Sequence, residues 1–159
     1  MKKLEKLDSL NQVEAFHKAF KQPVLDEPTI PDRKRCDLRI ELIAEELKEL
    51  QEAINQKDMI EIADALCDIQ YVLTGSVHEF GLGSKFVELF NEVDRSNMSK
   101  ACKTLEEAEA TVKHYKENKD TDSYIKEEDG LFLVYRKGDN KALKSVNYSP
   151  ANLKPILDK

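Results

Sequence analysis

The sequence predicts an all-α protein: a helical bundle completed by oligomerisation, followed by a small C-terminal β-hairpin and strap. Apolar residues recur at helical spacing through most of the first 119 positions. Five glycines and five prolines in 159 residues are too few for a chain of many short strands. The stretch from Ile60 to Val77 is apolar on nearly every side, so it must be covered on most faces. An ordinary central helix is the plain reading of that stretch. One small chain has little material to cover it, however, and a bundle completed by a second subunit supplies more.

The elements follow in order. A first helix covers about Asp8 to Lys21, with Leu10, Val13, Phe16 and Phe20 on one stripe, and ends before Pro23. Three prolines between positions 23 and 31 predict an extended loop. A second helix starts near Asp32 and runs to about Gln56, with Leu38, Leu42, Leu47, Leu50 and Ile54 as its apolar stripe. A turn near Lys57 leads to a third helix from Met59 to Phe80, stopped by Gly81-Leu82-Gly83. The fourth helix spans about Ser84 to Asp94. The fifth begins at Thr104, which forms a capping-box pattern with Glu107, and ends near Lys119. Leu131 to Tyr135, a turn at Gly138-Asp139-Asn140, and Ala142 to Val146 then predict a β-hairpin, followed by an irregular strap from Asn147. No repeat or long linker divides the chain. One domain is therefore expected over 1–159, helical over about 8–119, with hairpin and strap over about 123–159.

Charge narrows the partners. Lys and Arg total 25 against 31 Asp and Glu, a net −6, which argues against binding a nucleic-acid polymer. A single nucleotide remains compatible if metal ions bridge it to the protein. Cys36, Cys67 and Cys102 are odd in number and widely spaced, so they predict reduced thiols rather than a disulfide framework or zinc site. Neither a signal-peptide core nor a run of transmembrane length is visible, so a cytoplasmic protein with no membrane partner is expected.

The carboxylates carry the chemistry. Glu45, Glu46 and Glu49 form EExxE in the second helix, and Glu61, Asp64 and Asp68 form ExxDxxxD in the third. These offsets place each trio on one helical face. Eleven residues separate Glu49 from Glu61, enough for an antiparallel hairpin that brings the two faces together near its closed end. For EExxE alone, a solvated glutamate face is the simpler reading. Asp64 and Asp68 differ, because they interrupt an apolar run and repel each other at i,i+4. Divalent cations relieve that repulsion, and two oxygen-donor trios suit Mg²⁺, with Mn²⁺ as a substitute, better than zinc. Mg²⁺ joins carboxylates to substrate phosphates, and a glutamate free of metal can take a proton from an attacking water. Hydrolysis of a phosphoanhydride is the implied reaction.

At these residues the chain resembles the all-α nucleoside triphosphate pyrophosphohydrolases, which include MazG-like proteins, dimeric dUTPases and phosphoribosyl-ATP pyrophosphohydrolases. Their EExxE and ExxD pattern is matched by Glu45, Glu46, Glu49, Glu61 and Asp64. FHKAF (16–20), LIAEELKEL (42–50), IADALCDIQYVLTG (62–75), EVDRSNMSK (92–100) and ALKSVNYSPANL (142–153) resemble a MazG-like, phosphoribosyl-ATP pyrophosphohydrolase-like branch. The resemblance implies cleavage between α- and β-phosphates, to a nucleoside monophosphate and pyrophosphate, in a homodimer or homotetramer. It implies metal binding by Glu46, Glu49, Glu61 and Asp64, with Glu45 as ligand or water-activating base. Asp68 supports the shell or holds another ion. Arg95, Asn97 and Lys100, just past the fourth helix, are placed to meet phosphates or base, or are ordinary polar residues of a helix-terminal loop. Two departures stand out: residues from Thr104 to about Asp129 are inserted, and the strap reads NYSPA where the branch has GYxPP. His17, His78 and His114 are not expected to cluster, and no histidine catalysis is assigned.

Hydrolysis of a non-canonical or surplus (d)NTP, dUTP-like pyrimidines included, is the first reading. Phosphoribosyl-ATP hydrolysis is the alternative within enzymes, and a non-catalytic helical interaction module is the alternative outside them.

Overall fold

The computed structural model describes residues 5–159. It contains α1 (Ser9–Ala19), α2 (Arg33–Gln56), α3 (Met59–Glu79), a single 3₁₀ turn (Gly83–Lys85), α4 (Phe86–Met98), α5 (Leu105–Lys119), β1 (Ser123–Glu128), β2 (Leu131–Arg136) and α6 (Lys154–Leu157). Contacts divide the chain into two compact units, one ending at Phe86 and the other covering Val87–Lys159.

In the first unit α2 and α3 form an antiparallel pair, with α1 laid against α3. Asp32 caps α2 by accepting from the Arg35 N–H, and Asp58 caps α3 by accepting from Ile60 and Glu61. Between them Lys57 takes the left-handed conformation, and the Lys57 and Asp58 N–H groups close on Ile54 and Ala53 carbonyls. α3 ends in the same way. The Gly81 N–H bonds His78 O and the Leu82 N–H bonds Val77 O, with Gly81 at φ +66. A Cβ on Gly81 would lie 1.9 Å from the Glu27 carbonyl oxygen, so only glycine fits. Gly81→Ala is expected to cost about 2 kcal/mol or more, lowering Tm by roughly 4–8 °C. A thermal melt in which the variant matches the wild type would remove glycine from this account of the helix end.

Coverage of α3 is only partial within one chain. Ala65, Thr74, Gly75, Val77, His78 and Glu79 are buried, yet Ile60 is 78% and Leu66 52% exposed. On α2, Ile40 and Leu47 are exposed as well. The burial on most faces that the sequence predicts is therefore not reached by this chain's own packing.

The second unit corrects two sequence-based expectations. α4 continues to Met98 rather than stopping near Asp94, because Arg95 to Met98 contains no helix breaker. The hairpin pairs β2 with the preceding segment instead of the following one: Ser123 faces Arg136 and Glu128 faces Leu131. Its turn is Asp129-Gly130, both at positive φ, as a two-residue hairpin loop requires. Ala142 contributes only an isolated bridge to Tyr135. Glu127 and Glu128 lie on the exposed strand β1, which runs into the Asp129-Gly130 turn. Cys102, Ala108, Val134 and Leu143 form the core beneath α5 and the hairpin, with Val112, Tyr115, Ile125 and Phe132 around it.

Candidate active site

Glu46 is the centre of the acidic face. It lies on α2 in the region facing α3, half-buried, and its Oε2 is buried with no hydrogen-bond partner. Burial first, and then the charges of Asp68, Glu49, Glu45 and Asp64, push its carboxyl above the usual carboxylate range. Five of the six sequence-predicted carboxylates thus share one electrostatic neighbourhood. Glu61, exposed and nearer the α2–α3 connection, is not among the groups that act on Glu46.

None of the six has an ion-pair partner or a side-chain hydrogen bond among the described residues. No three of them converge closely enough in the described residues to form a ready-made ion cage. A carboxylate oxygen buried without a donor, beside four like charges, still needs a cation or a proton to offset it. The all-oxygen donor set fits a hard divalent ion. Although they interrupt an apolar run, Asp64 is exposed and Asp68 half-buried, while Ala65 is buried. Glu46 holds the orphaned atom.

The other end of the α2–α3 pair carries a network absent from the sequence-based assignments. Glu79, 1% exposed, accepts from both Arg35 and Arg39. Burial raises the Glu79 carboxyl, and the hydrogen bonds from Arg39 and Arg35 outweigh this and leave it below its ordinary value. His17 donates from Nδ1 to the Pro23 carbonyl at 2.9 Å, leaving Nε2 facing Arg39 at 3.5 Å. Desolvation lowers the His17 pKa, keeping the ring neutral. Gly75 makes the crowding possible, since a Cβ there would meet Arg39 Nη1 and His17 Nε2 at 2.9 Å each. His17 and His78 do pack together, with ring centroids 6.0 Å apart, and His78 Nε2 donates to Leu10 O at 2.9 Å. Their roles are to tie α1 and the proline loop to α3. Offsets from the carboxylates gave a clue to the ion pair: Arg39 lies seven residues before Glu46 and Glu79 eleven after Asp68, so each shares a helical face with a site residue.

In the second unit, Arg95 and Asn97 occupy the last turn of α4, with Lys100 in the turn after it, so two of the three lie within the helix rather than past it. Arg95 is committed. It donates to both oxygens of Glu92 and, at 3.1 Å, to Pro150 O. Glu92 also accepts from the Asn152 N–H at 2.8 Å, and these bonds, Arg95 foremost, hold its carboxyl down to about 2. Ser96 meets the Tyr148 hydroxyl at 3.2 Å, and Ser99 receives the Ser149 N–H at 3.0 Å. One face of α4 therefore fastens the strap. Lys100 Nζ donates to Asn97 Oδ1 at 2.8 Å.

Residues 13–97 match the phosphoribosyl-ATP pyrophosphohydrolase family, a span holding all six carboxylates together with Arg95 and Asn97. The chain is also similar to uncharacterized protein L479 of Acanthamoeba polyphaga mimivirus. Identity is 23% over 247 aligned positions, covering 97% of each chain. The alignment exceeds this chain's 159 residues, so it includes gaps, and it brings no activity with it.

Proposed function

The chain belongs to the phosphoribosyl-ATP pyrophosphohydrolase family, within the MazG-like all-α superfamily, and from that premise we propose that it hydrolyses nucleoside triphosphates to monophosphate and pyrophosphate. A non-canonical or surplus dNTP, dUTP-like pyrimidines included, is the preferred substrate. The observation that carries the reading is the buried, partnerless Glu46 oxygen amid four other carboxylates.

Glu46, Glu49, Glu61, Asp64 and Asp68 would hold Mg²⁺ or Mn²⁺. When bound, the ion neutralises phosphate charge and lowers the pKa of water. Glu45 is exposed and has no ion-pair partner among the described residues, so its carboxylate is available to take a proton from the attacking water. Asn97 and Lys100 are offered to substrate phosphates. Arg95, bound to Glu92 and Pro150 O, acts by holding the strap. The exposed apolar residues on α2 and α3 support a homodimer or homotetramer, in which a second copy covers them.

Phosphoribosyl-ATP is the second substrate reading, favoured by the matched family's own name. A panel of NTPs, dNTPs and phosphoribosyl-ATP, incubated with Mg²⁺ and then EDTA, tests both. Pyrophosphate and monophosphate are expected in equal amounts with Mg²⁺ and neither with EDTA, fastest on a dNTP. Faster turnover of phosphoribosyl-ATP transfers the assignment to that substrate. Silence on every nucleotide sinks the catalytic reading and leaves the interaction module.

A further inference from the structure

We propose that Lys144 is a phosphate-contacting residue, acting with Lys100 as a two-lysine clamp on a polyphosphate chain beside the ring of Tyr148. The pyrophosphohydrolase reading supplies the identity of the anion; the clamp itself rests on the geometry of the second unit. The Ser145 N–H bonds the Lys100 carbonyl at 3.1 Å, which places the backbone of Lys144 next to that of Lys100. Lys144 Nζ lies 4.1 Å from the centroid of the Tyr148 ring. The Ser96 hydrogen bond first, and then the charges of Lys144 and Lys100, hold the Tyr148 hydroxyl below its ordinary pKa, so both ammonium groups act on one tyrosine.

The backbone that presents Lys144 is fixed. Every N–H from Leu143 to Tyr148 is bonded: to Val134 O, Tyr115 Oη, Lys100 O, Thr111 Oγ1, Ser145 Oγ and Ser145 O in turn. Leu143 and Ser145 are buried on either side, while Lys144 is exposed. Among the described residues neither Lys100 nor Lys144 has a carboxylate partner. The nearby Glu107 carboxylate is spent on Ser145 Oγ and the Lys103 N–H. Two cations held on adjacent, rigid backbone in a chain of net charge −6 are arranged for a multivalent anion. Because the scaffold is already ordered, little entropy is lost when one binds.

Lys144→Met and Lys144→Arg test the clamp in the full-length protein by two readouts. In steady-state hydrolysis, the Met variant is expected to raise KM for the triphosphate about tenfold, with a much smaller fall in kcat. Lys144→Arg should recover most of that loss, which a packing role for the aliphatic stem would not produce. Calorimetry with inorganic tripolyphosphate, in EDTA and at fixed ionic strength, should show weaker binding to the Met variant by a similar factor. An unchanged KM together with unchanged tripolyphosphate affinity overturns the clamp even if the wild type hydrolyses nucleotides. Tripolyphosphate binding that depends on Lys144, in a protein that hydrolyses nothing, sustains the clamp and overturns the catalytic reading instead. Equal loss in the Met and Arg variants, with a lowered Tm in both, assigns Lys144 to structure and overturns the proposal.

Discussion

Glu46→Gln lowers Mg²⁺-dependent pyrophosphate release by about 100-fold or more, and in EDTA it melts above the wild type. Both effects follow from one atom. Glu46 Oε2 is buried without a donor, and burial together with Asp68, Glu49, Glu45 and Asp64 disfavours its charge. A carboxyl whose folded-state pKa is raised stabilises the fold below its unfolded value of 4.5 and loses that contribution as pH rises through the raised one. At neutral pH the ionised group is therefore a cost, and glutamine is free of it. After allowing for solvent screening, the gain is on the order of 1 kcal/mol, or roughly 2–4 °C in Tm. Mg²⁺ should raise the Tm of the wild type and leave the variant unmoved, since an ion stabilises only the state that binds it. Asp64→Asn is expected to lose activity similarly. Full turnover in either variant removes these residues from the site.

Glu79→Leu has the largest expected effect on stability. The change leaves Arg35 half-buried and Arg39 buried at the same spot, with no carboxylate between them. Breaking a buried pair from one side costs about 3–5 kcal/mol, a fall in Tm of roughly 6–20 °C. The pH dependence has a definite sign. Glu79 is held below 4.5 in the fold, so its contribution is complete above that pH and fades as pH drops through the lowered value. The Tm gap between wild type and variant should narrow on acidification, as differential scanning calorimetry would record. A gap that is small at pH 7, or that widens in acid, contradicts the buried-pair account.

The parts legible in the sequence are those with local chemistry. Asp32, Lys57-Asp58 and Gly81 mark helix ends through caps and backbone conformation, and α2 and α3 begin and end within a residue of the boundaries they suggest. Helical spacing also groups Glu45, Glu46 and Glu49 against Asp64 and Asp68, and in the structure the other four act electrostatically on Glu46. What escaped the sequence depends on which way a helix is rolled. Asp64 and Ala65 are neighbours, and packing alone decides that alanine faces inward. For Glu79 the sequence offers only a shared helical face with Asp68; its partners lie 40 and 44 residues away, and packing alone joins them. The strand Ser123–Glu128 was hidden by its charges, although the following Asp-Gly carried the turn signal. Lys144 appears in sequence as one more surface lysine; only the bond from Ser145 to Lys100 O places it beside a second cation.

The Glu46 cluster is expected to hold a divalent cation. Titration of the metal-free protein with Mn²⁺, followed by electron paramagnetic resonance of the free ion, tests it without reference to any substrate. The account predicts saturable binding to the wild type and affinity weakened at least tenfold in Glu46→Gln. Equal binding by the two proteins, or none by the wild type, contradicts it.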